Sequence, residues 1–490
     1  MAPAVSSHST KHSNEVEGWT FVEDGRGVKL YPELRESIWQ TDRSPFDTYD
    51  KIAVHRVVKE GIKPKGVVFI LPGTWSNAEQ LISNPTDDWW SADEDHSFAY
   101  FLANRGFVVY GIDYRTHFVP PELSLAELEF MAEWGWDAWI GDIKEGVELA
   151  KEVSDVKKLF IAGDSFGGSA AMNYASLFWE EDLKGILLRD GGTGTKYPEN
   201  VDNAYDLPAA IAGMNAFGLW GREVGGPGSH FVMKYADENP GAPAEYMGFP
   251  LTPTENPLTP EYDPWANITE WAAYQLYVAW GLGRVTNIYG GYGDPRVMIH
   301  IDATFDRYWP ARLSLESAAI SDWDNCPYVT YDFDDHYQDI DVPLLAFSSE
   351  RFGLAFMGPF RHGIANPDFT GHYLWGYGHL DVYSGEYSKD DVSQPTYEWL
   401  MNHRMLEGYG KIKFENNKIK GKATIYINET TIDFKIDDER FSWTISNHYS
   451  HGSTEVFYGQ SDLGSIKISI KNNRISIAKG QKIHFSGYKM

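Results

Sequence analysis

Ser165 stands in "FIAGDSFGGSAAM" (160–172), inside the pattern Gly-x-Ser-x-Gly and just after a short apolar run. A serine hydroxyl is a weak nucleophile. It becomes a strong one when an imidazole takes its proton and a carboxylate orients that imidazole. The five-residue pattern alone says little in a chain with 46 glycines, so its setting has to decide. "KKLFIAG" (157–163) reads as a strand, and residues 166 to 178 read as a helix. Ser165 then occupies a strand-to-helix elbow that lifts its hydroxyl above the sheet edge. Gly163, Gly167 and Gly168 remove side chains where strand and helix crowd together. The amides that follow open a helix, where they can stabilise a developing oxyanion. A P-loop would need Lys-Ser/Thr after the second glycine, and the chain has Gly168-Ser169; a dinucleotide fingerprint would need glycine at position 165 itself. The residue types favour a nucleophile over a structural turn.

The base is read from "GYGHLDVYSG", which holds His379 in a glycine-flanked loop before the last helix of the α/β pattern. From there the ring can turn back over the sheet edge toward Ser165. His362 and His372 lie nearby and read as surface or capping residues. Two carboxylates compete to orient the ring: Glu350 in "FSSERFG" and Asp190 at the end of "GILLRDGG". Each also has an ordinary explanation, Glu350 as a partner of Arg351 or Arg361 and Asp190 as a turn cap.

The elements that must position these residues alternate along the chain. "GVVFILPG" (66–73), "GFVVYGIDY" (106–114), "KKLFIAG" and "GILLRDGG" (185–192) read as buried strands. Between them "SFAYFLANR" reads as a helix, as does the stripe Trp136, Ile140, Ile143, Val147 and Ala150. That alternation predicts a parallel sheet covered on both faces. It stops over 196–335, which is crowded with Pro, Gly, Trp and Tyr and reads clearly as helix only over 268–282. "VPLLAFSS" (342–349) resumes the strands and "QPTYEWLMNHR" (394–404) closes them with a helix. Residues 196–335 therefore read as an insertion. From 411 onward, polar and apolar residues alternate between Asn and Gly turns, which predicts an antiparallel β module.

With "LPGTWSN", "GDSFGG", "VPLLAFSSE" and "GYGHLDVYSG…QPTYEWLMNH" in this order, the chain resembles the α/β-hydrolase superfamily over residues 50–408. The insertion falls where that superfamily carries its cap. The closing stretch looks like the Gly-x-Gly-His-Leu-Asp-Val pattern of lipase- and esterase-like members. The resemblance implies ester or amide hydrolysis through an acyl-enzyme, with no cofactor. It also implies a division into core residues 1–195 and 336–408, a cap at 196–335 and the β module at 409–490. Family members place an aspartate about nine residues beyond a "PLL" strand start, which here falls on Phe352. Glu350 stands two residues earlier and is the preferred acid; Asp190 is the rival, because some members take the acid from that earlier strand. The oxyanion amides are assigned to Phe166 and to Thr74, with Trp75 as the alternative, in the "PGTWSN" loop where Pro72 replaces a frequent histidine.

The implied substrate is a small ester with an apolar or aromatic acyl group. Trp220, Trp265, Trp271, Tyr274, Tyr277, Trp280, Tyr289, Tyr292, Tyr308 and Trp309 would line an aromatic pocket in the cap. A peptidase, an amidase or an acyltransferase would use the same groups, and a binding protein could keep the fold without them. "DDH" (334–336) and the pair His300/Asp302 lack further ligand spacing, so no metal site is expected.

Bulk properties bound these readings. At 490 residues, two or three domains are expected. The formal charge of −28 argues against nucleic acid or anionic membrane as partners. No segment reaches the roughly 20 apolar residues of a membrane span. Cys326 is alone, so no disulfide forms within the chain. The polar first 17 residues lack a signal-peptide core, which leads to a cytoplasmic expectation unless the first residue is a processed end. Residues 411–490 carry 13 Lys/Arg against 8 Asp/Glu, in contrast to the acidic remainder. That shift places a boundary near Gly408-Tyr409-Gly410, and the basic module is expected to lean on the acidic body or on a second copy of the chain.

Overall fold

The computed structural model describes residues 16–44, 47–62, 64–79, 94–192, 333–350, 364–366, 368–413 and most of the strands beyond. From the insertion it describes 234–235, 237–239, 297, 300, 303–313 and 316. Three strands open the chain, β1 (Thr20–Val28), β2 (Tyr31–Asp42) and β3 (Lys51–Lys59), followed by β4 (Val67–Leu71) and β5 (Val108–Asp113). Then come β6 (Leu159–Asp164), β7 (Leu183–Arg189), β8 (Leu344–Ser349) and β9 (Phe369–Leu374). They form one nine-stranded sheet in the order β1-β2-β3-β5-β4-β6-β7-β8-β9. The first three run antiparallel as a meander, and β3 meets β5 antiparallel. From β5 to β9 every pairing is parallel.

Every residue of β4 to β8 is buried, as a sheet covered on both faces requires. Alternate side chains go to opposite layers. Val68, Ile70, Phe160, Ala162 and Phe347 pack with helix α1 (Phe98–Asn104) and with α4 (Gln394–Asn402) through Trp399 and Leu400. Val67, Phe69, Leu71, Ile161 and Ile186 pack with α2 (Trp136–Ser154) and α3 (Phe166–Asp182). Ser97 caps α1 by accepting from the Tyr100 amide. The sequence stripe on α2 is the buried one, joined by Trp139, Gly146 and Leu149.

Beyond α4, eight antiparallel strands β10 to β17 (Arg404–Lys413, Lys418–Ile427, Thr431–Ile436, Glu439–His451, Thr454–Ser461, Gly464–Lys471, Arg474–Ala478, Ile483–Tyr488) close into a barrel. Strand β10 starts at Arg404, one residue past the helix C-cap His403, and Gly408-Tyr409-Gly410 lie inside it. The composition change near these glycines therefore marks the first barrel strand and not a linker. The helix expected at 268–282 lies outside the described residues.

Candidate active site

The Ser165 turn is built by close backbone approach. Strand β6 ends at Asp164, and Ser165 takes φ 54°, ψ −120° before α3 begins at Phe166. A non-glycine residue at positive φ is strained by about 1–3 kcal/mol and persists only where its surroundings hold it. Here the Ser165 amide donates to Arg189 O (3.0 Å), and Ser165 O accepts from the Gly168 amide (2.9 Å). The crossing chains leave no room for a Cβ. One on Gly167 would lie 2.0 Å from Leu71 O, and one on Gly191 would lie 1.9 Å from Ser165 O.

His379 joins the serine to a carboxylate. Its Nε2 lies 2.8 Å from Ser165 Oγ, and its Nδ1 lies 2.6 Å from Asp190 Oδ2. A carboxylate has no proton to give, so Nδ1 donates and the Nε2 lone pair faces the serine hydroxyl. Asp190 is itself buried, at φ 49°, and accepts from the Ser349 amide and hydroxyl, both at 2.7 Å. The histidine loop is held at both ends. The Gly376 amide donates to Glu350 Oε2 (3.0 Å), the Gly378 amide donates to Asp381 Oδ2 (2.7 Å), and the Tyr383 ring stands edge-on to the imidazole at 5.6 Å.

This geometry corrects the preferred acid. Glu350 follows the end of β8, two strands from Ser165, and its carboxylate serves the Gly376 amide. Asp190 ends β7, the strand beside β6, and occupies the Nδ1 position. Strand β8 contributes Ser349 as a donor to that acid. Of the other histidines, His372 stacks on Phe347 at 4.9 Å, and its burial lowers its pKa; His362 lies outside the described residues.

The "PGTWSN" loop passes directly over the elbow: a Cβ on Gly73 would meet Ser165 Cβ at 3.0 Å. Trp75 adopts φ 61°, and the turn is closed by the Ser76 amide donating to Gly73 O (3.1 Å). Phe166 is the first residue of α3, so its amide has no acceptor within the helix. The loop is tied down by groups the sequence reading did not single out. The Asp306 amide donates to Trp75 O (2.7 Å), while Asn77 Nδ2 donates to Thr304 O (2.7 Å) and to Asp306 Oδ1 (2.9 Å). The Ala78 amide donates to Asp113 Oδ1 (2.8 Å).

Behind Asp113 and Asp306 sits a buried charged network. His55 lies 2.7 Å from both Glu36 and Asp113; burial opposes its charge, yet the two carboxylates hold its pKa well above the ordinary value. His117 is only partly buried; its partial burial opposes its charge, but Asp113 and Asp306 raise it to about 10. Burial would raise the Asp113 carboxyl, and the two imidazoles bring it down to about 2.

Of the cap aromatics, Tyr308 and Trp309 are described, and both are packing residues. Trp309 meets Phe166 and Trp139 at 5.2 Å and Tyr114 at 6.4 Å, and the Tyr308 hydroxyl lies within hydrogen-bond reach of Leu123 O and Pro121 O. Trp220, Trp265, Trp271, Tyr274, Tyr277, Trp280, Tyr289 and Tyr292 lie outside the described residues. His300 pairs with Asp237 at 3.1 Å, and Asp302 is outside the described residues. His336 pairs with Asp339. Among the described residues no group of three or more His, Cys, Asp or Glu could hold a metal ion, and no helix is long and apolar enough to cross a membrane.

A nine-stranded, mostly parallel sheet with a serine elbow, a late histidine and a carboxylate at strand ends defines a class, and the chain belongs to the α/β-hydrolase superfamily. It is similar to a protein from Sulfolobus solfataricus described as a putative lipase, at 36% identity and TM-score 0.61, over 79% of this chain and 99% of that one. A highly thermostable carboxyl esterase from Bacillus coagulans matches at 13% identity and TM-score 0.37, over 79% of this chain and 98% of its own. A serine hydrolase from Cycloclasticus zankles matches at 13% and 0.34, over 78% and 98%. No family model and no curated protein matches the chain. At the coarse level its activity is that of a hydrolase.

Proposed function

We propose that the chain is a serine carboxylic-ester hydrolase working through an acyl-enzyme on an apolar or aromatic acyl group. The observation that carries this reading is the single imidazole within hydrogen-bond reach of both Ser165 Oγ and Asp190 Oδ2. In the first half-reaction Ser165 Oγ attacks the ester carbonyl carbon as its proton passes to His379 Nε2. The Asp190 carboxylate orients the ring and stabilises the imidazolium that forms. The carbonyl oxygen becomes an oxyanion facing the Phe166 amide and an amide of the Thr74-Trp75 turn. His379 then protonates the leaving alkoxide. In the second half-reaction His379 deprotonates water, which attacks the acyl carbon; the acyl C–Oγ bond then breaks as the imidazolium returns its proton to Ser165 Oγ, freeing the carboxylic acid. The aromatic surroundings of Phe166, including Trp136 and Trp309, support an apolar acyl group, and the 36% identical relative described as a putative lipase supports ester over amide.

A fluorophosphonate probe with nitrophenyl esters of graded acyl length tests the proposal. Wild type is expected to label at Ser165 and turn over ester. Ser165→Ala is expected to lose label and to lose turnover by on the order of 10⁵-fold or more while keeping its fold. Labelling at another residue, or an active alanine variant, overturns the assignment. Faster hydrolysis of aminoacyl amides than of matched esters would make it a peptidase.

A further inference from the structure

Asp164 and Arg189 are partners in the parallel register of β6 and β7, and theirs is the last pair of that ladder. Each immediately precedes a residue of the site, Ser165 in one case and Asp190 in the other. Both successors leave the ladder at positive φ, 54° and 49°. Between the two strand ends lies a planar fork: Arg189 Nε donates to Asp164 Oδ1 at 2.7 Å, and Nη2 donates to Oδ2. Both side chains are buried. The guanidinium lies over the Phe98 ring at 4.0 Å and 5.2 Å from the Tyr383 ring centre, and Arg189 O accepts from both the Ser165 amide and the Tyr383 hydroxyl.

Stability is a poor reason to keep such a pair. Desolvating two charges cancels much of their attraction, and well-packed apolar replacements are often neutral or better. What a bidentate fork supplies is fixed geometry. His379 must span from Ser165 to Asp190 with bonds of 2.8 and 2.6 Å, so the spacing of the two strand ends is the quantity that matters.

We propose that Asp164 and Arg189 are the positioning pair of this site, their buried fork setting the spacing of nucleophile and acid that the imidazole bridges. The proposal deepens the ester-hydrolase reading and rests on it. The charged and titratable groups about His379 are Asp190 and the fork from the strand ends, Ser165 from the elbow, and Asp381 and Tyr383 from the following helical turn. Glu350 approaches through Gly376. Burial pushes the Asp164 carboxyl up and the Arg189 guanidinium opposes that, so removing either member of the fork leaves its partner's charge uncompensated.

Three variants test this in ester turnover, serine labelling and thermal melting. The paired replacement Asp164→Leu with Arg189→Met removes both charges together. It is expected to melt near wild type, with kcat and labelling rate down by about 10²-fold or more and KM within about threefold. Arg189→Lys keeps the charge and abolishes the fork, and is expected to lower kcat by about 10-fold or more with little loss of stability. In Asp164→Asn the lone guanidinium disfavours the imidazolium, so the acid limb of the kcat/KM profile moves to lower pH. Wild-type kcat in either of the first two variants, or an unmoved acid limb in the third, overturns the proposal. A wild type that neither labels at Ser165 nor hydrolyses ester overturns the ester reading itself, and the positioning pair with it.

Discussion

Ser349 decides which carboxylate serves the imidazole. Its amide and hydroxyl both point at Asp190 and fix the carboxylate with one oxygen toward His379 Nδ1. Asp190→Asn keeps the shape but offers Nδ1 an amide that can favour the wrong tautomer. Its kcat on a nitrophenyl ester is expected to fall by about 10⁴-fold. Glu350→Gln should cost less than about 10-fold, because the glutamine oxygen can still accept from the Gly376 amide. The reverse ranking would return the role to Glu350. Ser165 and His379 were legible in the sequence because the chemistry and the glycines around them are local. The acid was not: Glu350 and Asp190 both follow apolar strand runs, and only the neighbour relation of β6 and β7, a long-range pairing, separates them. Asp306 was hidden for the same reason, since its partners Asn77 and Thr116 lie 229 and 190 residues away.

At the scale of elements, the buried strands were readable because a sheet covered on both faces demands unbroken apolar runs, as in "VVFIL" and "LFIAGD". The strands β1, β2, β3 and β9 were not, because charged or polar residues interrupt their apolar ones, as in "PELRES" and "VHRVVK". What sequence periodicity cannot show at all is how the Thr74-Trp75 turn is tied to the end of β5 and to the 303–313 segment. The tie is made of hydrogen bonds, but the carboxylates that anchor it, Asp113 and Asp306, are paired with imidazoles, so its pH dependence has a definite sign. His117 binds its proton more tightly in the fold, at about 10 against an ordinary 6.5, so its contribution is fully present below about pH 6.5 and is lost as pH rises through about 10. Asp113, at about 2 against 3.8, contributes above about pH 3.8 and loses that contribution as pH falls through about 2. The two act as one coupled network, so stability should hold a plateau between these limits. Replacing His117 with Asn is expected to lower stability by about 2 kcal/mol at pH 7, with the gap from wild type closing by pH 10.5. Denaturant unfolding of both proteins across that range measures it, and a gap that widens with pH would contradict the sign.

The whole molecule joins an acidic hydrolase core to a basic barrel, and the two halves of that statement have different physical origins. The net charge of −28 was legible by counting, and so was the excess of Lys and Arg after residue 411. Closure was not, because alternation along a strand predicts one apolar face and says nothing of where that face goes. In β13 the buried Trp443 stands between the exposed Ser442 and Thr444, the alternation of a strand with one face turned inward. Pairing of β10 with β17 leaves the described ladder without a free edge, so joining a second copy by strand addition would require opening it. Every described partner of Ser165, His379 and Asp190 lies at or before residue 383, well ahead of Arg404. The barrel is therefore expected to be separable from the chemistry. Truncation after His403, where α4 is already capped by its amide on Trp399 O, cuts at the element boundary, whereas truncation after Gly410 would leave most of a barrel strand unpaired. The protein ending at His403 is expected to label at Ser165 and to hydrolyse a short nitrophenyl ester with kcat/KM within about threefold of the full chain. The one ending at Gly410 should do the same but aggregate more readily, as light scattering on warming would report. Loss of labelling in the His403 truncation, with the sheet intact by circular dichroism, would make the barrel part of the site.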